Sequence, residues 1–130
     1  MWDYRAALVR VVDGDSVVLL VDVGMGARVE EEIRLVGVSA PEHYQPGGLE
    51  SRDFTAAWFG QLSKTRKWPV ALRTTPNTTM EPLERRTFVR YLGTVSDITD
   101  PNRVLNADLS TFLSQHPEWG HGIQAKPPLT

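Results

Sequence analysis

The sequence predicts a small, mainly β domain with helices (α+β): a five-stranded barrel with one helix inserted between its third and fourth strands. Three observations lead there. Three Val- and Leu-rich runs follow one another through short glycine turns across residues 4–38. The hydrophobic spacing then changes to a helical period over 49–63 and returns to short β-type runs after residue 68. With 130 residues the chain has material for one modest core.

The elements follow in order. Residues 4–12 and 16–23 are rich in Val, Leu and Ala and are separated by Asp13-Gly14-Asp15, a turn or bulge signal. The run SVVLLVDV is nearly continuously apolar and β-branched, as expected of a well-buried strand. Gly24-Met25-Gly26 turns the chain into a third strand over 28–38, with Glu30, Glu31 and Glu32 at its wet end and Ile33, Leu35, Val36 and Val38 at its dry end. Pro41, Pro46 and two glycines make 39–48 a loop. Phe54, Ala57, Trp58 and Leu62 then mark the apolar face of a helix over 49–63. A fourth strand is expected at 68–74, a polar loop at 75–84, a fifth strand at 87–95 and a second helix at 103–114. One domain spans 1–116, and 117–130 reads as a frayed tail. Five short strands with a helix between the third and fourth is the layout of the OB barrel.

Bulk properties exclude several classes of function. The chain has no cysteine, hence no disulfide framework and no thiolate metal site. No apolar run approaches the length of a membrane span. The opening MWDYRAALVR lacks a basic-then-apolar leader pattern, so a cytoplasmic, monomeric protein without a membrane partner is expected. A formal net charge of −2 argues against coating nucleic acid by bulk electrostatics. It leaves room for a hydrolase, which must release its product and can steer substrate with a local cluster.

Two stretches carry candidate chemistry: VVDGDSV at 11–17 and IRLVGVSAPE at 33–42. Asp-Gly between β runs is ordinarily just a turn; its functional reading is Asp15 as a hard oxygen ligand for Ca²⁺ or Mg²⁺. Arg34 stands among Ile33, Leu35 and Val36. It reads either as an ion-paired structural arginine or as a guanidinium fork aimed at phosphate. Glu42 reads as solvated loop or, eight residues beyond Arg34, as a carboxylate able to take a proton from an attacking water. Arg85 and Arg86 are a solvated pair or a second source of positive charge for a phosphorane-like transition state. His43 beside Glu42 is a weaker candidate, and Trp58 with Phe54 reads as core. Among exposed-type aromatics, Trp2, Tyr4, Tyr44 and Tyr91 have the chemistry to stack on bases.

VVDGDSV, IRLVGVSAPE and RRTFVRYL, in that order, resemble the staphylococcal nuclease (thermonuclease) family over about residues 4–114. The resemblance implies an OB fold of the staphylococcal nuclease type and a metal-dependent phosphodiesterase acting on single-stranded or flexible DNA or RNA. The implied cofactor is Ca²⁺, with Mg²⁺ or Mn²⁺ as alternatives. It implies Asp15 as a metal-binding aspartate, with the Ala40 backbone carbonyl, Asp13 and Ser39 as further metal candidates. Arg34 and Arg86 correspond to the two phosphate-binding arginines and Glu42 to the general base. Arg85, the fallback for Arg86, and Tyr91 are the substrate-binding candidates.

The chain also departs from the family pattern. Where the family carries a second metal-binding aspartate, this chain has Ser39, a neutral hydroxyl. Cation affinity follows the number of charged ligands, so weaker metal binding is expected. Arg85 replaces the glycine before the second arginine, and Ser16 the usual threonine. Two functions follow: a metal-dependent nuclease, or a catalytically weakened OB module that binds nucleic acid or protein.

Overall fold

Runs rich in Val, Leu and Ile set the first strands, and the glycine turn at 24–26 joins the second to the third. The computed structural model describes residues 2–74 and 90–119. Its elements are β1 (Trp2–Asp13), β2 (Ser16–Gly24), β3 (Ala27–Leu35), α1 (Gly48–Gly60), β4 (Val70–Thr74), β5 (Arg90–Asp97), β6 (Asp100–Val104) and α2 (Leu105–Ser114). The sheet order is β3-β2-β1-β4-β5-β6, and a parallel pairing of β3 with β5 closes the first five strands into a barrel. This is the closed, mixed five-stranded arrangement of an OB-like α+β fold.

Register explains the closure. β1 pairs with β2 from Arg5 to Asp13 and with β4 from Trp2 to Ala6, so one long strand serves two neighbours. Irregularities between Leu8 and Arg10 and between Val11 and Asp13 bend it. The interior is filled by Ala6, Val17, Leu19, Ile33, Leu72 and Val95, none more than 2% exposed. Gly93 lets β5 cross close to its neighbours: a methyl there would stand 2.9 Å from Leu72 and 3.0 Å from Ile33.

The helices close one side of the barrel. α2 presents Leu105, Leu109 and Leu113 to the core at four-residue spacing. α1 buries Ser51, Thr55, Trp58 and Phe59. Of the face expected from the sequence, Trp58 and Leu62 are core and Phe54 packs against it, while Ala57 is exposed and the buried side extends to Ser51 and Thr55. The reason is polar. Thr55 Oγ1 donates to the Gly14 carbonyl at 2.7 Å and Ser51 Oγ to the Gly47 carbonyl at 2.7 Å, so two hydroxyls are satisfied on the buried side. Trp58 is core, as expected, and its Nε1 donates to Asp108 Oδ2 of α2 at 2.8 Å.

Several boundaries differ from the sequence reading. The third strand stops at Leu35, because Gly37 at φ 82° turns the chain. β4 begins after Pro69, whose nitrogen has no proton for the ladder. The first helix ends at Gly60 rather than residue 63. The second starts at Leu105 because Asp100–Val104 is used as β6 against the end of β5, a strand the sequence reading lacked. Of the expected wet end, Glu31 is partly covered, and loss of water pushes its carboxyl above the ordinary range. Pro117–Trp119, assigned to the tail, forms a 3-10 turn whose Trp119 ring stacks on His116 at 4.1 Å. The loop expected at 75–84 and the start of the fifth strand at 87 lie outside the described residues. Among the described residues no helix is long and apolar enough to cross a membrane.

Thr55→Val keeps the shape of the side chain but leaves the buried Gly14 carbonyl without its hydroxyl donor. It is expected to lower the unfolding free energy by about 1–3 kcal/mol in urea titrations. An unchanged midpoint would show that this bond does not anchor α1 to the β1–β2 turn.

Candidate functional site

The β1–β2 turn, Asp13-Gly14-Asp15, is the organising feature of one end of the barrel, and each of its residues bonds to a neighbouring segment. Asp13 Oδ1 accepts the backbone N–H of His43 at 2.9 Å and lies 3.1 Å from His43 Nδ1. Gly14 carries the Thr55 bond and packs beneath α1, where a methyl would stand 2.8 Å from Ser51 Cβ. Asp15 Oδ2 accepts the Ala40 N–H at 2.9 Å and stands 3.1 Å from Arg34 Nη1. The Asp15 backbone carbonyl also accepts the Leu35 N–H at 2.8 Å.

The two aspartates thus pin the loop between β3 and α1 at Ala40 and again at His43, and Glu42 lies between the pins. Glu42 is half-buried. Its N–H donates to Gln45 Oε1 at 2.8 Å, and its carbonyl accepts the Gln45 N–H at 2.9 Å. Gly48 lets α1 begin directly against this turn: a Cβ at that position would fall 1.8 Å from the Glu42 carbonyl oxygen.

Arg34 is a buried cation, with its side chain only 8% exposed. Nη1 donates to the carbonyls of Leu35 at 3.1 Å and Val38 at 2.8 Å, while Asp15 supplies the counter-charge. Its Nε is buried and has no hydrogen-bond partner among the described residues. The loop over Arg34 is itself anchored, since Asn106 Nδ2 donates to the carbonyls of Val36 at 2.9 Å and Gly93 at 3.1 Å. The arginine is therefore held through Nη1 by two carbonyls and a carboxylate.

The site residues expected from the sequence are placed as follows. Asp15 and Arg34 are in contact, and Glu42 is tied to both by the pinned loop. Ser39 is buried, as is Asp13, whose carboxylate is committed to His43. Ala40 contacts the site through its N–H rather than a demonstrated carbonyl contact. Tyr91 lies opposite Ile33 in the β3–β5 pairing and packs against the core. Arg85 and Arg86 fall outside the described residues. The pairing of Asp13 with His43, the Gln45 brace and the close approach at Gly48 had no signal in the sequence, because each depends on how the 36–48 loop folds back.

The donor set was set against the requirements of calcium, which takes 6–8 oxygens. Asp15 is fully buried and already holds Arg34 and the Ala40 N–H; Asp13 holds His43; Ser39 brings no charge. Among the described residues no three Asp, Glu or His side chains gather. These residues do not by themselves form a cage for a hard cation.

Removing one partner of a buried ion pair strands the other. Asp15→Ala is expected to destabilise the domain by about 3–5 kcal/mol in urea unfolding. A loss under about 1 kcal/mol, the range of exposed pairs, would show that Arg34 does not depend on Asp15. Gly48→Ala should displace the Glu42 turn, seen as chemical-shift changes across residues 42–48; an unperturbed spectrum there would refute the close approach.

Set beside known proteins, the chain matches no family model and no curated protein sequence.

Proposed function

We propose that this domain is a nuclease, a phosphodiester hydrolase acting on single-stranded or flexible DNA or RNA. One observation carries the reading: a guanidinium fixed by Asp15 and two carbonyls, with 8% of its side chain still exposed, stands at the barrel end where the loop bearing Glu42 is also held. A fixed arginine suits a phosphate oxygen, for which its planar fork is the best side-chain match. In this reading Arg34 binds the phosphodiester and offsets charge that develops on its oxygens. Glu42 takes a proton from the attacking water. Asp15 is a positioning residue that holds Arg34. Arg86, or Arg85 in its place, supplies the second cation. No step is assigned to a metal ion, because the donor set does not fit one; the requirement for a divalent cation is left to the experiment below.

A second reading has its own observation. Asp15 is fully buried with both a cation and an N–H on its carboxylate. A satisfied pair of this kind also suits an OB module that binds nucleic acid or protein without cleaving it.

Digestion of single-stranded DNA and RNA by the purified domain separates the two, run with Ca²⁺, with Mg²⁺ or Mn²⁺, and with chelator. The nuclease reading expects cleavage that Glu42→Gln reduces by on the order of a hundredfold or more, as for loss of a general base, with the unfolding midpoint retained. Absence of cleavage in every arm, or turnover unaffected by Glu42→Gln, would favour the binding module.

A further inference from the structure

At the end of the barrel away from Asp15, the β2–β3 turn and the segment before β4 enclose a cleft of about 260 Å³. Its walls are Arg5, Asp22, Arg28, Lys67 and Trp68, with the fully exposed Met25 at the turn. Register places the first three in a row: Asp22 lies opposite Arg5 of β1 on one side and opposite Arg28 of β3 on the other. Directly opposed residues of antiparallel strands share a face. Asp22 is committed to Arg5, whose Nε donates to its Oδ2 at 3.1 Å, and to the Gly24 N–H at 2.9 Å. Arg28 and Lys67 are exposed, and neither forms a salt bridge with a described residue. The Trp68 ring is half-buried, with Arg5 at 5.9 Å and Lys67 at 5.7 Å from its centroid. The cleft is therefore locally positive on a chain whose net charge is −2.

We propose that this cleft is a second, non-catalytic subsite for a single strand of nucleic acid, with backbone phosphates on Arg28 and Lys67 and a base against Trp68. Cations that follow the backbone beside an aromatic face are the elements by which proteins hold single strands without reading sequence. An acidic peptide of Asp and Glu would use the two cations but bring no planar ring to the indole, so the combination of cations and aromatic surface favours nucleic acid. The inference goes beyond the proposed chemistry and stands whether or not the domain cleaves.

The test is fluorescence anisotropy of a labelled dT 20-mer with the intact chain, in chelator, over a range of salt. Arg28→Ser with Lys67→Ser should weaken binding about tenfold or more and reduce the slope of log affinity against log salt by about 1.4, since each single-strand phosphate contact contributes about 0.7. Trp68→Ala should weaken binding about tenfold with the slope unchanged, as loss of one stacked base does. All three positions lie outside the core, and thermal unfolding checks that the variants fold. They leave Arg34 and Glu42 untouched, so loss of binding here and loss of cleavage in Glu42→Gln are separate results. Affinity equal to wild type in both variants, or no binding by the wild-type chain, would overturn the subsite. Competition by poly-glutamate as effective as by unlabelled dT 20-mer would assign the cleft to an acidic protein partner instead.

Discussion

The contact between Asp15 and Arg34, 3.1 Å apart and almost wholly buried, holds one end of the barrel together. Burying two charges is costly, and the pair persists only because the remaining polar atoms are largely satisfied. Asp15 takes the Ala40 N–H as well, and Arg34 reaches two backbone carbonyls of the loop above it. A single buried interaction thereby fixes the β1–β2 turn, the end of β3 and the loop that carries Glu42. The barrel's closure through β3 and β5 sets the same strand, with Arg34 opposite Leu92. The site is thus not grafted on a finished barrel; its charges are part of what determines where the loop lies.

This arrangement changes the meaning of the Asp-Gly-Asp turn. An aspartate at a strand edge can be a cation ligand, and its residue type says no more than that. In the folded chain both carboxylates are committed to pinning one loop, Asp13 at His43 and Asp15 at Ala40. Glycine stands between them because α1 packs where a side chain would be, 2.8 Å from Ser51 Cβ. Ser39, buried beside this turn, adds no charge to it.

The architecture was legible where periodicity and turn chemistry agree. The first three strands, the intervening helix and the α+β class follow from the Val- and Leu-rich runs, Gly24-Met25-Gly26 and the helical spacing after residue 48. Boundaries failed where a single backbone conformation decides, as at Gly37, or where a polar stretch is paired only by tertiary context, as in β6. Helix α1 was placed with most of its apolar face, but the burial of Ser51 and Thr55 was not legible, because they look like surface residues until Gly14 offers one hydroxyl an acceptor. Asp15, Arg34 and Glu42 could be singled out by motif order. That Asp15 faces a cation rather than open solvent could not, since it depends on a contact across 19 residues of chain.

The most direct test of this account is a double-mutant cycle on Asp15→Asn and Arg34→Gln, read by urea unfolding. If the pair anchors the loop, each single variant leaves a buried polar group without its partner, while the double variant leaves two neutral amides able to bond each other. The account expects the double variant to be less destabilised than the sum of the single changes, with a coupling of about 1–3 kcal/mol, the range seen for residues in direct contact. Additivity within about 0.5 kcal/mol, the behaviour of independent sites, would contradict it.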